Sequence, residues 1–159
     1  SDIDVATSTF GQGIAVTSVQ LVRAVATIAN GGTLVQPHVV DAVREGSEWQ
    51  EFTLPEQPRI LSKATTQTVT KLMVNAAEQG DAKWTASRLV SVAGKTGTAQ
   101  IADQGTYLED KTLASFIGFA PAEDPEFVML VLLRAPTTSP WGSETAAPLW
   151  YRILPSVLR

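Results

Sequence analysis

Val92-Ala93-Gly94-Lys95-Thr96-Gly97-Thr98-Ala99-Gln100 is the stretch on which the reading of this chain turns. From Leu89 onward the apolar period is two, so Val90, Val92, Thr96 and Thr98 share one side of a predicted strand. Ser91, Ala93, Lys95 and Ala99 share the other. A phosphate-binding loop ending in Gly94-Lys95-Thr96 needs glycine at position 89 and a helix straight after Thr96. Position 89 is Leu89, and Gly97-Thr98-Ala99-Gln100-Ile101 is a poor helix start, so the nucleotide reading is set aside. Gly11-Gln12-Gly13 is no dinucleotide fingerprint either, because position 16 is Val16; it reads as a tight turn ahead of a helix.

Working outward, Thr17-Ser18-Val19-Gln20 fits a capping box and predicts a helix from Ser18 to Asn30, stopped by Gly31-Gly32. Gln20, Arg23, Thr27 and Asn30 form one polar stripe, which predicts burial over most of the remaining circumference. Residues 38–44 and 48–54 flank Glu45-Gly46-Ser47 as a peripheral hairpin. Lys63 to Gln79 is an amphipathic helix with Val69, Leu72, Met73, Ala76 and Ala77 on one face and Gly80 as its stop.

Thr112 to Phe119 and Phe127 to Arg134 are two further strands. The latter is apolar on both faces and therefore central or covered. Short links, Asp103-Gln104-Gly105 and Pro121 to Pro125, favour antiparallel neighbours. Leu149, Trp150, Ile153, Leu154, Val157 and Leu158 recur at helical spacing, giving a closing helix that Pro155 should bend or end. The fold class expected is α+β, an antiparallel sheet packed against helices.

Composition removes several functions. With 159 residues and 44% hydrophobic content the chain can bury a core. Twelve basic against sixteen acidic side chains, a net charge of −4, give no footprint for nucleic acid. With no cysteine and one histidine, His38, thiolate and zinc sites are excluded, and neither a metal nor a cofactor is expected. His38 reads as a strand-edge side chain, Ser62-Lys63 as a helix start and Glu123-Asp124 as a solvated turn. Trp141 and Trp150 read as packing residues, with Trp141 beside Gly142 also able to line a rim. No apolar run is long enough to span a bilayer, and Ser1-Asp2-Ile3-Asp4 lacks the features of a signal peptide.

Taken alone, Lys95-Thr96-Gly97 reads as an ordinary exposed strand. Four stretches in order give it meaning: Phe10-Gly11-Gln12-Gly13-Ile14 with Val16-Thr17 and Gln20; Ile28-Ala29-Asn30-Gly31-Gly32 with Pro37; Gly94 to Gln100; and Ser115-Phe116-Ile117-Gly118-Phe119-Ala120-Pro121. Together with Pro125-Glu126-Phe127 and Ala146-Ala147-Pro148, they resemble the C-terminal part of the transpeptidase domain of class B penicillin-binding proteins, the division and elongation transpeptidases. The resemblance runs over essentially all of residues 1–159. It departs from the family at Thr17-Ser18, where Thr-Pro is usual, and at Gly80-Asp81-Ala82, where Gly-Thr-Ala is common.

The resemblance implies a β-lactamase/transpeptidase-like fold and a peptidoglycan D,D-transpeptidase activity. The Lys95, Thr96, Gly97 and Thr98 strand would bind a D-Ala-D-Ala stem peptide or a β-lactam antibiotic. Lys95 would act electrostatically, the Thr96 and Thr98 hydroxyls would hold the terminal carboxylate, and the Thr98 backbone N–H would serve the oxyanion. Small Gly97 would let the peptide approach closely.

The family's other two motifs are absent. Ile60, Thr68, Gly80, Val92 and Leu108 precede the five lysines by three, so no Ser-x-x-Lys exists, and neither Asn30 nor Asn75 completes Ser-x-Asn. The expectation is that a missing upstream part of the same domain carries both, that the strand at Phe127 pairs with an upstream strand, and that this chain alone is inactive. The parent is expected to be extracytoplasmic, membrane-anchored, and engaged with division or elongation partners. A non-catalytic module or pseudoenzyme of the same fold, or a β-lactam sensor or hydrolase relative, are the other readings considered.

Overall fold

The computed structural model describes residues 2–9, 11, 13–86, 89–103 and 106–158, apart from the side chains of 2–4, 103, 109 and 110. Among the described residues four α-helices, α1 (Asp2–Ser8), α2 (Ser18–Ala29), α3 (Lys63–Gln79) and α4 (Ala146–Val157), accompany five strands. These are β1 (Ala42–Glu45), β2 (Glu48–Glu51), β3 (Ala93–Asp103), β4 (Thr106–Ala120) and β5 (Phe127–Arg134). The α+β expectation is met: β3, β4 and β5 form one antiparallel sheet in chain order, with helices packed against both faces.

Strand β4 is the centre, with Lys95 opposite Ile117 on one side and Ile117 opposite Leu130 on the other. Its alternation feeds two cores. On one face Val92, Phe116 and Val131 meet Trp150 and Leu154 of α4. The Phe116 and Trp150 rings meet edge to face, centroids 5.3 Å apart, and Trp150 Nε1 donates to Met129 O at 2.9 Å. On the other face Ala93, Ile117 and Phe119 are covered by Val25 of α2, with Leu21, Val22, Met73 and Val74 around them.

The capping box is present. Thr17 N donates to Gln20 Oε1 at 2.8 Å and Gln20 N to Thr17 Oγ1 at 3.2 Å, and Asn30 caps the other end ahead of Gly31 and Gly32, both at positive φ. The turn of Gly11 and Gly13 also takes positive φ, while Phe10 and Gln12, part of the same predicted segment, lie outside the described residues. So do Gln104 and Gly105 of the β3–β4 link.

Several expectations need correction. The polar stripe does not mark the exposed side of α2: Thr27 is buried, because its hydroxyl donates to Arg23 O at 2.9 Å within the helix, while Val19 is exposed. On α3, Leu72 is 64% exposed, and burial instead follows Thr66 and Ala77, the position of Met73 lying between them. The hairpin is shorter than expected. Strand β4 begins earlier, at Thr106, because pairing with β3 continues through an irregularity between Gln100 and Ala102.

Strand β5, expected to be central or covered, is covered: α2 and α4 lie against it, and among the described residues it pairs only with β4. Helix α4 continues two residues beyond Pro155. That proline forgoes only one backbone bond near the helix end, and Leu158 N still donates to Leu154 O. Helix α1 and a short 3₁₀ turn at Lys83–Thr85 were not foreseen.

Tyr151 sits beside the first core, its ring 5.1 Å from that of Trp150. Burial, and secondarily the Glu78 carboxylate, push its phenol up to about 12 from 10.0. The folded state therefore holds this proton more tightly than the unfolded state. The associated stability is present below pH 10 and is lost as pH rises towards 12. Replacing Tyr151 with Phe should flatten that part of the alkaline stability profile, and tyrosinate absorbance should lose its late-titrating component. Separately, Trp150→Ala should cost about 3–5 kcal/mol by urea denaturation, and Trp84→Ala at an exposed site no more than about 0.5 kcal/mol.

Candidate functional site

Lys95, Thr96, Gly97 and Thr98 occupy consecutive positions of β3, whose outer edge has no strand neighbour among the described residues. By alternation Lys95 shares a face with Ala93 and lies on the α2 side, while Thr96 and Thr98 share the α4 side with Phe116. The lysine nevertheless turns back along the strand. Its Nζ donates to Thr96 O at 2.9 Å and to Thr96 Oγ1 at 3.3 Å. An ammonium and a hydroxyl thus meet at one point of the strand, a combination suited to an anionic group with hydrogen-bonding oxygens.

Thr98 is used differently. Its Oγ1 accepts a hydrogen bond from Gly142 N at 3.0 Å, which leaves the hydroxyl proton as its remaining donor. Gly142 belongs to a strap, residues 139–145, that runs into α4. Within it Ser139 Oγ donates to Glu144 Oε2 at 2.6 Å and accepts from Trp141 N at 3.2 Å, while Ala147 N donates to Gly142 O at 2.8 Å. Thr112 Oγ1 donates to Pro140 O at 2.6 Å, a second tie between strap and sheet.

Glycine at 142 is a steric requirement. A Cβ there would lie 2.4 Å from Gly97 O and 2.5 Å from Ser115 O, both backbone atoms. Gly97 answers to the same crowding, since a Cβ on it would meet Ser115 Oγ at 2.5 Å. A side chain at 97 would therefore require the Ser115 hydroxyl to swing aside, independently of any ligand. Trp141, expected to pack or to line a rim, is 55% exposed within this strap, so the packing alternative is not met.

Sequence reasoning located the β3 residues but missed Ser139, Thr112 and the role of Gly142. The only available signal was a glycine next to a tryptophan shortly before the last helix. His38 lies outside any strand, exposed, with Nδ1 3.1 Å from Gln36 O and its ring near Phe52. Among the described residues no cluster of His, Cys, Asp or Glu is arranged to hold a metal, and no helix is long and apolar enough to cross a membrane.

The family description "Penicillin binding protein transpeptidase domain" matches residues 1–155. The chain belongs to the penicillin-binding protein transpeptidase family. Among relatives of this transpeptidase domain, stage V sporulation protein D of Bacillus subtilis is 35% identical over 152 residues, 92% of this chain and 23% of the relative. Penicillin-binding protein PbpB of Mycolicibacterium smegmatis is 32% identical over 155 residues, 90% of this chain and 24% of the relative.

Penicillin-binding protein 3 of Mycobacterium tuberculosis in complex with aztreonam superposes with a TM-score of 0.86 at 30% identity. That match covers 96% of this chain and 37% of the solved one. The chain thus spans about a quarter of the length of these curated relatives. Among the described residues of this chain, the Lys95 strand is an outer member of the β3-β4-β5 sheet.

The tie between Thr98 and Gly142 has a measurable consequence. Thr98→Val removes the acceptor of the buried Gly142 N–H and should cost about 1–3 kcal/mol in denaturant unfolding, whereas Thr98→Ser should stay close to the parent. Equal loss in both variants would show that the methyl group, not the hydrogen bond, is what matters.

Proposed function

We propose that this chain forms the substrate-binding wall of a peptidoglycan D,D-transpeptidase, acting on D-Ala-D-Ala stem peptides with a serine nucleophile supplied from outside residues 1–159. The observation that carries this reading is the placement of Lys95 to Thr98 on the open edge of β3, with the Lys95 ammonium drawn onto the Thr96 hydroxyl. The names of relatives support it: peptidoglycan D,D-transpeptidases of the FtsI and PenA groups match over nearly the whole chain. Solved relatives were captured with aztreonam and ampicillin.

In this reading a stem peptide lies along β3 and pairs main chain to main chain, as an added strand does. Its terminal carboxylate accepts hydrogen bonds from the Thr96 and Thr98 hydroxyls within the field of Lys95. A serine oxygen then attacks the carbonyl carbon of the penultimate D-Ala. The developing oxyanion accepts from the Thr98 N–H, which stabilises the charge where it forms. Collapse breaks the peptide bond, the proton given up by the serine hydroxyl ends on the departing D-Ala amine, and the acyl-serine awaits an acceptor amine. A β-lactam enters the same route, with its ring amide in place of the peptide bond.

Thr98 is suited to its double role because Gly142 N–H already fills part of its acceptor capacity, so its hydroxyl proton is directed to the ligand. The same reading places the parent outside the cytoplasmic membrane, anchored by a segment upstream, in the company of division or elongation proteins. No cofactor enters any step.

Fluorescent penicillin provides the test. Residues 1–159 alone should remain unlabelled, and the full-length protein carrying a Ser-x-x-Lys upstream should be labelled covalently. Lys95→Ala in that protein should slow acylation by roughly a hundredfold, the scale of losing one charge-stabilising group. Labelling of residues 1–159 by themselves would refute the assignment of the nucleophile.

A further inference from the structure

Among the described residues the buried polar side chains are three threonines, Thr27, Thr66 and Thr112. Two of them return the hydroxyl to their own helix: Thr27 Oγ1 donates to Arg23 O and Thr66 Oγ1 to Lys63 O, both at 2.9 Å. Thr112 instead donates to Pro140 O at 2.6 Å, 28 positions along the chain. A buried hydroxyl committed to one distant carbonyl fixes the segment to which that carbonyl belongs. Here the segment is the strap of residues 139–145, beside the Lys95 strand.

Thr112 holds the approach to this strap at two points. Register pairing between β4 and β5 ends with Leu113 opposite Arg134. One step on, Ala135 N donates to Thr112 O at 2.8 Å, and Ala135 turns at φ 49°, a left-handed conformation that residues with a Cβ seldom adopt. The chain thus leaves β5 on the main chain of Thr112 and returns to its side chain at Pro140.

The same face of the sheet carries Thr98. Because Thr98 stands opposite Ala114 and Gln100 opposite Thr112, the two threonines are diagonal neighbours on the α4 side. Their bonds to the strap run in opposite senses: Thr112 donates to Pro140 O, and Thr98 accepts from Gly142 N. These two strap atoms flank a single residue, and planar peptide units leave little play between them. The polar main-chain groups of that residue are held within the strap, Trp141 N donating to Ser139 Oγ and Trp141 O accepting from Thr145 N and Thr145 Oγ1. Gly142 in turn lies so close to Gly97 O and Ser115 O that no Cβ fits. Where Thr112 holds Pro140 therefore sets where the Gly142 N–H meets Thr98.

We propose that Thr112 is a positioning residue of the transpeptidase site. By fixing Pro140 O it seats the Gly142 N–H on Thr98 Oγ1, and that bond, by filling one lone-pair direction, limits the directions left to the Thr98 hydroxyl proton. The inference rests on the reading in which this proton is donated to the ligand carboxylate. It adds that the readiness of the donor is set from β4. A hydroxyl already oriented meets its acceptor without first losing rotational freedom, so loosening the strap weakens the contact while leaving every atom that touches the ligand in place.

The test uses the full-length protein and the rate constant for its acylation by fluorescent penicillin. Thr112→Val keeps the side-chain shape, and the carbonyl it abandons belongs to exposed Pro140, where water can replace the lost donor. We expect Thr112→Val to slow acylation about tenfold, the scale of a small misplacement transmitted to a reacting group. Thr112→Ala, which lacks the hydroxyl without adding an apolar branch, should show the same loss, and Thr112→Ser should stay within about twofold of the parent. Thr27→Val, which removes a buried hydroxyl that serves only its own helix, should leave the rate unchanged. In a protein already carrying Thr98→Val, adding Thr112→Val should slow acylation by no more than about twofold, because the atom through which Thr112 acts is gone. Amide exchange at Gly142 should quicken in Thr112→Val. An undiminished loss in the Thr98→Val background, a loss in Thr112→Ser or Thr27→Val equal to that in Thr112→Val, or an unchanged rate in Thr112→Val and Thr112→Ala would each overturn this inference and leave the transpeptidase reading standing. A parent protein that is not labelled would overturn both.

Discussion

Strand β4 has to satisfy two cores at once, and most of the molecule is arranged around that demand. Phe116 points to α4 and Trp150, while Ile117 and Phe119 point to α2, so adjacent residues of one strand anchor opposite layers. A one-residue slip in register would exchange every one of these side chains between layers, which is why the pairing with β3 and β5 is so firmly specified. The register carries Lys95 to the position opposite Ile117 and Thr98 to the position opposite Ala114. The candidate site is thus placed by packing interactions with which it shares no chemistry.

The glycines of the β3 motif answer to the same strand. A Cβ on Gly94 would come within 2.4 Å of the Phe116 ring, and Gly118 across from it is closed off by Ala93 O at 2.8 Å. The motif reads as a functional signature, but much of its spelling is set by the aromatic ring beneath it. Thr98 is tied structurally to Gly142 N, so Lys95 and Thr96 are the residues whose identities the packing described above does not dictate.

Periodicity made the elements legible: the capping box at Thr17, the helix to Gln79, the three antiparallel strands and the closing helix all follow from local patterns. Tertiary choices were less readable. Nothing local distinguishes buried Thr27 from exposed Val19, because a hydroxyl that donates to its own helix carbonyl is buried at little cost. The apolar faces of β5 left open whether it is central or covered, and it is the helices α2 and α4 that cover it. The β3 residues of the site were legible as a motif, whereas the strap of residues 139–145 was not. Its link to Thr98 spans 44 positions in sequence and shows in no short-range pattern.

The Gly142 contact binds the history of three positions together. A side chain at 142 collides with the main chain at 97 and 115, and one at 97 collides with Ser115. No single substitution at 142 relieves a collision with backbone, since the opposing atoms remain whatever residues stand there. Of the atoms in these collisions only Ser115 Oγ can swing aside, so change at this corner has to begin at position 115 while 142 stays glycine.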